Sequence, residues 1–152
     1  MEVSYYSGAD ALPFAEDCAA IHTAAFAASG SRGWSVDEFT SLLQRDTVFL
    51  LKTTSGLLIA DLIVGEVEVL TVAVHPNEQN KGIGSAILQK LDNVCTCRNV
   101  TKCFLEVATD NIAAKNLYHA FSFKKIAIRE RYYTRGVTAI SAMVMEKVFA
   151  TV

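Results

Sequence analysis

Three apolar runs follow one another in this chain with no helix-period segment between them: residues 47–53, 57–64 and 67–75. Each is rich in Val, Leu and Ile. They are separated by Thr54-Ser55-Gly56 and by a turn near Gly65. Turns that short join antiparallel neighbours, because a parallel pair needs a crossover of about a dozen residues or more. The middle of the fold is therefore a hairpin-built sheet, and the remaining elements must be layered on it.

The flanking elements read from periodicity. Residues 2–6 form a short strand. Phe14, Cys18, Ile21 and Ala25 recur three to four apart and predict a helix over about 10–27. Ala28-Ser29-Gly30-Ser31-Arg32-Gly33 is a loose patch, read as a loop between two helices. Ser35-Val36-Asp37-Glu38 is a capping box, whose hydroxyl and carboxylate satisfy free N–H groups at a helix start, so a short helix runs to about Gln44. Past the central strands, Ile83, Ile87, Leu91 and Val94 share one face of a helix that begins near Gly82. A strand over 102–108, a helix from Asn111 to Ala120, and closing strands Phe123–Arg131 and Ala139–Lys147 complete the chain. The order is βααβββαβαββ. The fold class is α/β (α+β): a single mixed, mainly antiparallel sheet of about seven strands flanked by four helices. With 152 residues and no repeat or linker, residues 1–152 read as a single domain.

Composition removes several classes. At 51% hydrophobic and 20% charged the chain is not disordered, and no apolar run reaches the roughly 18 residues of a membrane span. A net charge of −2 gives no basic footprint for nucleic acid. The N-terminal residues lack the pattern of a signal peptide, so a cytosolic setting is expected. Cys18, Cys95, Cys97 and Cys103 do not have zinc-site spacing and read as small buried thiols in a reducing compartment.

The stretch that carries chemistry runs Leu70-Thr71-Val72-Ala73-Val74-His75-Pro76-Asn77-Glu78-Gln79-Asn80-Lys81-Gly82-Ile83-Gly84. A strand enters a loop, and the loop ends in glycines at a helix start. Free N–H groups and the helix dipole there attract phosphate, and Lys81 adds a cation. The stretch is either a pyrophosphate cradle or a turn that happens to use two glycines. It is not a P-loop, which needs G-x-x-x-x-G-K-[ST]. Nor is it a dinucleotide fingerprint, which would need Gly or Ala where Ile87 stands.

Q-x-x-G-x-G after an apolar strand resembles the acetyl-CoA loop of the GNAT superfamily of N-acetyltransferases, and the element order fits that fold. Leu105-Glu106-Val107, then Asn111, Ala114, Leu117-Tyr118 and Phe123, resemble its "LEV…N..A..LY…GF" run. Arg129-Glu130-Arg131-Tyr132-Tyr133 resembles the R-x-x-Y-Y of the ribosomal-protein-alanine N-acetyltransferase (RimI) branch, and Trp34-Ser35 before a short helix fits as well. The resemblance covers about residues 3–147.

It implies acetyl-CoA as cosubstrate. Val72, Ala73 and Val74 would bind pantetheine through the main chain, and Gln79, Asn80, Lys81, Gly82, Ile83 and Gly84 the pyrophosphate. Asn111 would contact the cofactor, or simply cap its helix. Glu106 would be the general base and Tyr118 the general acid, with packing against Ala114 and Phe121 as the plainer role for Tyr118. Trp34, Tyr132 and Tyr133 would line the acceptor site, or serve as core and rim. The implied acceptor is the N-terminal alanine of a small-subunit ribosomal protein. No metal, direct nucleic-acid contact or membrane contact is expected, and the chain would be a monomer or weak dimer. The alternatives are a small-molecule amine acetyltransferase and a non-catalytic acetyl-CoA-binding subunit. Three departures bear on substrate range: Ser141 stands where the branch has an acid, Ser122 replaces a glycine, and the 28–33 loop is long.

Overall fold

The seven strands are β1 Ser4–Ser7, β2 Val48–Lys52, β3 Gly56–Ile63, β4 Glu66–Val74, β5 Lys102–Ala108, β6 Lys124–Arg135 and β7 Thr138–Val148. They form one sheet in the order β1-β2-β3-β4-β5-β7-β6. The helices are α1 Ala15–Ala27, α2 Val36–Leu43, α3 Ile83–Cys97 and α4 Ile112–Ala120. The computed structural model describes residues 1–135 and 138–150, with Arg131, Tyr133, Thr134 and Arg135 described by backbone alone. The expected α+β architecture holds. Every pairing among these strands is antiparallel except β4 with β5.

The first helix starts later than its periodicity predicts. Pro13 lies in a 3-10 turn, Leu12–Phe14, and α1 begins only at Ala15. Proline lacks an N–H and suits the first turn of a helix rather than its interior. At α2 the capping box forms as read: the Glu38 N–H donates to Ser35 Oγ at 3.1 Å, and the Ser35 N–H donates to Glu38 Oε1 at 3.2 Å.

Two apolar layers sandwich the sheet. On one face α3 and α4 pack Ile87, Leu88, Leu91 and Tyr118 against Leu58, Val67, Val69, Leu105 and Val107. On the other, α1 and α2 pack Cys18, Ile21, Phe39 and Leu43 against Leu50, Leu57, Ile59 and Ala73. Each fully buried leucine contributes about 2 kcal/mol. Among the described residues, no helix is long and apolar enough to cross a membrane. Cys18, Cys95 and Cys103 are buried free thiols as expected; Cys97, at the last turn of α3, is exposed, against expectation.

One irregularity in the sheet positions everything that follows. Ile59 faces Thr71, but the next residue, Ala60, faces Val69. Leu70 is therefore an extra residue in β4, a β-bulge that bends the strand. The bulge also changes which residues face which way. Val67 and Val69 point to the α3/α4 layer before it; Val72 and Val74 point there after it. Leu70 and Ala73 join the α1/α2 layer. Where β4 bends, it leaves β5. Their parallel pairing covers only Glu66–Glu68 with Lys102–Phe104, although β4 runs on to Val74 and β5 to Ala108. A gap opens in the middle of the sheet.

The 28–33 loop is fixed at one end by a glycine that the loose composition did not suggest. A Cβ on Gly33 would lie 2.4 Å from Thr23 Cα in α1, a contact that no rotamer change can relieve. Gly33→Ala is expected to cost about 1–3 kcal/mol by overpacking. Urea unfolding followed by the fluorescence of Trp34, the single tryptophan, measures this directly, and a wild-type midpoint would refute the assignment.

Candidate active site

The gap exposes a strip of β4 backbone that has no strand partner on that side. The His75 N–H donates to Ser55 O at 2.8 Å, which makes that pair a hydrogen-bonded one. In an antiparallel ladder such pairs alternate. Ala73 with Leu57 and Thr71 with Ile59 are then bonded likewise, and Val72 and Val74 turn their N–H and C=O groups toward the gap. Ala73, expected to offer its backbone alongside them, directs it to β3 instead. Gln79 supports this assignment, since its Nε2 donates to Val74 O at 3.1 Å.

Beyond β4 the chain turns into α3. Asn80 and Gly82 both take left-handed backbone conformations, with φ of 63° and 82°. Gly82 occupies the cap position without any side-chain cap, and no acidic residue stands in the first turn of α3. The first N–H groups of α3 are thus open to an anion, as the cradle reading requires. The other residues of the loop divide their work. Lys81 Nζ is paired with Glu78 at 3.1 Å on the surface. Ile83 is buried in the core. Gly84 packs closely on α4: a Cβ there would lie 2.9 Å from Leu117 Cδ2, so that side chain would have to shift. Asn111 caps α4, with Oδ1 accepting from the Ala114 N–H at 3.2 Å.

Glu106 lies where strand alternation puts it. Leu105 and Val107 are buried against α3 and α4, and Glu106 points to the other face. There it lines a cleft of about 700 Å³ together with Trp34, Glu68, Leu70, Arg45 and Tyr132. Its carboxylate is not alone: Arg129 Nη1 donates to Glu106 Oε1 at 2.5 Å. The Arg129 guanidinium also lies 3.9 Å from the centre of the Tyr132 ring. The hydrogen bond it donates to Glu106 holds the guanidinium above its ordinary pKa. Tyr118 is on the opposite face, buried and packed edge-on to Phe123 at 6.0 Å between centroids. The Tyr133 side chain lies outside the described residues. Ser141, where an acid was expected, donates to Glu130 Oε2 at 3.1 Å, so β6 supplies a carboxylate beside that position.

The wall of the cleft rests on a residue the sequence reading passed over. His22 in α1 is 1% exposed and stacks between Phe26 and Trp34, at 4.2 and 4.7 Å between ring centroids. The Trp34 N–H donates to His22 Nδ1 at 3.0 Å, so Nδ1 carries no proton. His22 Nε2–H then donates to Thr71 Oγ1, also at 3.0 Å. A single neutral imidazole ties the Trp34 loop to the strand beside the bulge. Its only signal in the sequence was its place four residues after Cys18 on the buried side of α1.

A model of the acetyltransferase (GNAT) family matches residues 37–123. The chain belongs to this family. The ribosomal protein bS18-alanine N-acetyltransferase of Escherichia coli is 35% identical over 75 residues, which are 49% of this chain and 51% of that protein. The N-alpha-acetyltransferase RimI of Mycobacterium tuberculosis is 41% identical over 68 residues, 45% of this chain and 41% of that one. The chain spans about half the length of the curated relatives it matches. In three dimensions the likeness is wider. The crystal structure of the ribosomal-protein-S18-alanine N-acetyltransferase from Escherichia coli superposes with a TM-score of 0.81 at 25% identity, covering 99% of this chain and 96% of that one. The sheet, with its parted strands, is a GNAT sheet.

Burial drives the His22 pKa down from its ordinary 6.5 to about 4. Above the unfolded value both states are neutral and the site contributes fully. As pH falls from about 6.5 toward 4, the unfolded chain takes up a proton that the folded one refuses. Stability should drop by on the order of 3 kcal/mol across that window. Urea midpoints of wild type and His22→Gln at about pH 7 and about pH 4.5 test this. The wild type should lose more on acidification, and equal losses would sink the assignment.

Proposed function

We propose that this chain transfers the acetyl group of acetyl-CoA to the N-terminal α-amino group of a ribosomal protein, with alanine as the first residue. The supporting observation is the gap between β4 and β5. It offers a backbone edge and an uncapped helix start on one side of Glu106, and an open cleft on the other. Family membership and the bS18-specific relatives point the same way. The residues present fit the cosubstrate: Val72 and Val74 for pantetheine, the first turn of α3 with Asn80 and Gly82 for pyrophosphate, and Asn111, the cap of α4, for a further contact.

When bound, acetyl-CoA supplies an activated thioester. The chain does the rest. Glu106, directly or through one water, takes a proton from the acceptor ammonium. An α-amino group with a pKa of about 8 needs a far weaker base than a lysine at about 10.4. A backbone N–H of Val72 or Val74 faces the gap and can donate to the carbonyl oxygen as charge develops on it. Tyr118, on the α3/α4 side of the gap, gives its proton to the departing thiolate. Trp34 and Tyr132 flank the entry of the acceptor, and Tyr133 is assigned with them. Cytosolic action follows from a ribosomal acceptor.

Two peptides separate the acceptors. One has a free alanine N-terminus of bS18 type; the other has that terminus blocked and an internal lysine free. Mass spectrometry should find the first acetylated alone. Glu106→Gln should lower kcat by about 10²- to 10³-fold with acetyl-CoA affinity retained. A loss below tenfold would remove Glu106 from the role of base, and acetylation of neither peptide would move the acceptor to a small amine.

A further inference from the structure

Arg129 poses a difficulty for a base at Glu106. The carboxylate must come within hydrogen-bond reach of the acceptor ammonium, or within one water of it. In the structure that place at Oε1 is taken by the Arg129 guanidinium, at 2.5 Å. An ammonium brought to the same oxygen would lie within a few Å of the guanidinium, and their repulsion weakens its binding there. Arg129 is built to leave. It stands on β6, the outer strand of the sheet, and half of its side chain is exposed. It reaches Glu106 across β7, where it is paired with the small Ala142. Its guanidinium already lies over the Tyr132 ring at 3.9 Å, so it has a second partner to keep when the first is lost.

We propose that Arg129 occupies the acceptor's ammonium position and that the α-ammonium of the acceptor displaces it, so that Arg129 selects for amines able to compete with a guanidinium at Glu106. This rests on the reading of Glu106 as the base that receives the amine. Glu68 favours the exchange. It lines the same cleft, and Phe104, its register partner, lies two residues from Glu106 on the same side of β5. The incoming ammonium therefore meets two carboxylates, whereas Arg129 arrives from the far side of β7. An exposed ion pair is worth little, so the competition is mild and reversible.

The test compares acceptor saturation curves of wild type, Arg129→Gln and Arg129→Lys, using the alanine-initiated peptide at saturating acetyl-CoA. Removing the competitor should lower the KM for the peptide by about two- to fivefold in Arg129→Gln, with Arg129→Lys between the two. An unchanged or higher KM, or a kcat more than about tenfold lower, would overturn the proposal and make Arg129 the group that holds Glu106 in place. Should Arg129→Gln not fold, the Nε resonance of Arg129 in the nitrogen-15-labelled wild type replaces it: the signal should move on peptide addition, and a static signal counts against displacement. A wild type that acetylates no amine fails the underlying reading instead, and with it this inference.

Discussion

The working parts of this molecule depend on one extra residue. Leu70 interrupts the pairing of β4 with β3, and the strand bends away from β5 immediately past Glu68 and Phe104. Past the bulge β4 and β5 no longer pair, and Val72 and Val74 turn their backbone groups to the gap rather than to β5. The bulge also preserves burial. It moves the apolar positions of β4 from Val67 and Val69 to Val72 and Val74, so one layer stays packed while the other side gains Leu70 and Thr71. Unpaired backbone in a central strand is costly if it stays dry. A gap that admits water or a ligand with matching donors and acceptors removes that cost, which is why the defect and the site coincide.

His22 complements the bulge from the other layer. The loop before α2 has no strand of its own to hold it. It is fixed by Gly33 lying against Thr23 and by the Trp34 N–H on His22 Nδ1. Through Nε2 the same ring reaches Thr71, the residue after the bulge. The Trp34 wall of the cleft and the parted strand are thus referenced to one side chain. Burial keeps that side chain neutral, and only the neutral ring accepts from Trp34 while donating to Thr71.

Much of this was legible in the sequence, because local signals and tertiary structure agree. The hairpin run, the capping box at Ser35 and Glu38, and the apolar face of α3 each specify an element without reference to the rest. Glu106 was legible because a carboxylate between Leu105 and Val107 must leave the buried face of its strand. What escaped needed long-range knowledge. His22 reads as one more position on an apolar helix, and nothing nearby announces Thr71, 49 residues away. Arg129 was seen only as part of a motif, since its partner lies across an intervening strand. Ala73 was grouped with its neighbours because ladder alternation is fixed by pairing with β3, not by side-chain type. The parity break in β4 is written in the order Val67, Val69, Val72, Val74, but an alternation count that does not expect a bulge smooths it over.

The charges divide along the same line as the packing. Lys52, whose side chain is 6% exposed, is held by Asp17, and Lys147 by Asp92, with 14% and 23% of their side chains exposed. Breaking such pairs strands a charge in a poorly solvated place, so they behave as fixed parts of the fold. The pairs around the gap differ in that neither holds so buried a partner: Lys81 and Glu78 are 59% and 43% exposed, and Arg129 and Glu106 50% and 26%. Water replaces the exposed partner at small cost, so these pairs can open and close without drawing on the stability of the core. Under the proposed function a cationic amine and a polyanionic cosubstrate bind at neighbouring sites, which needs charges that rearrange. Here they sit at the rim of the gap, while the sheet beneath is held by apolar burial that no ligand has to disturb.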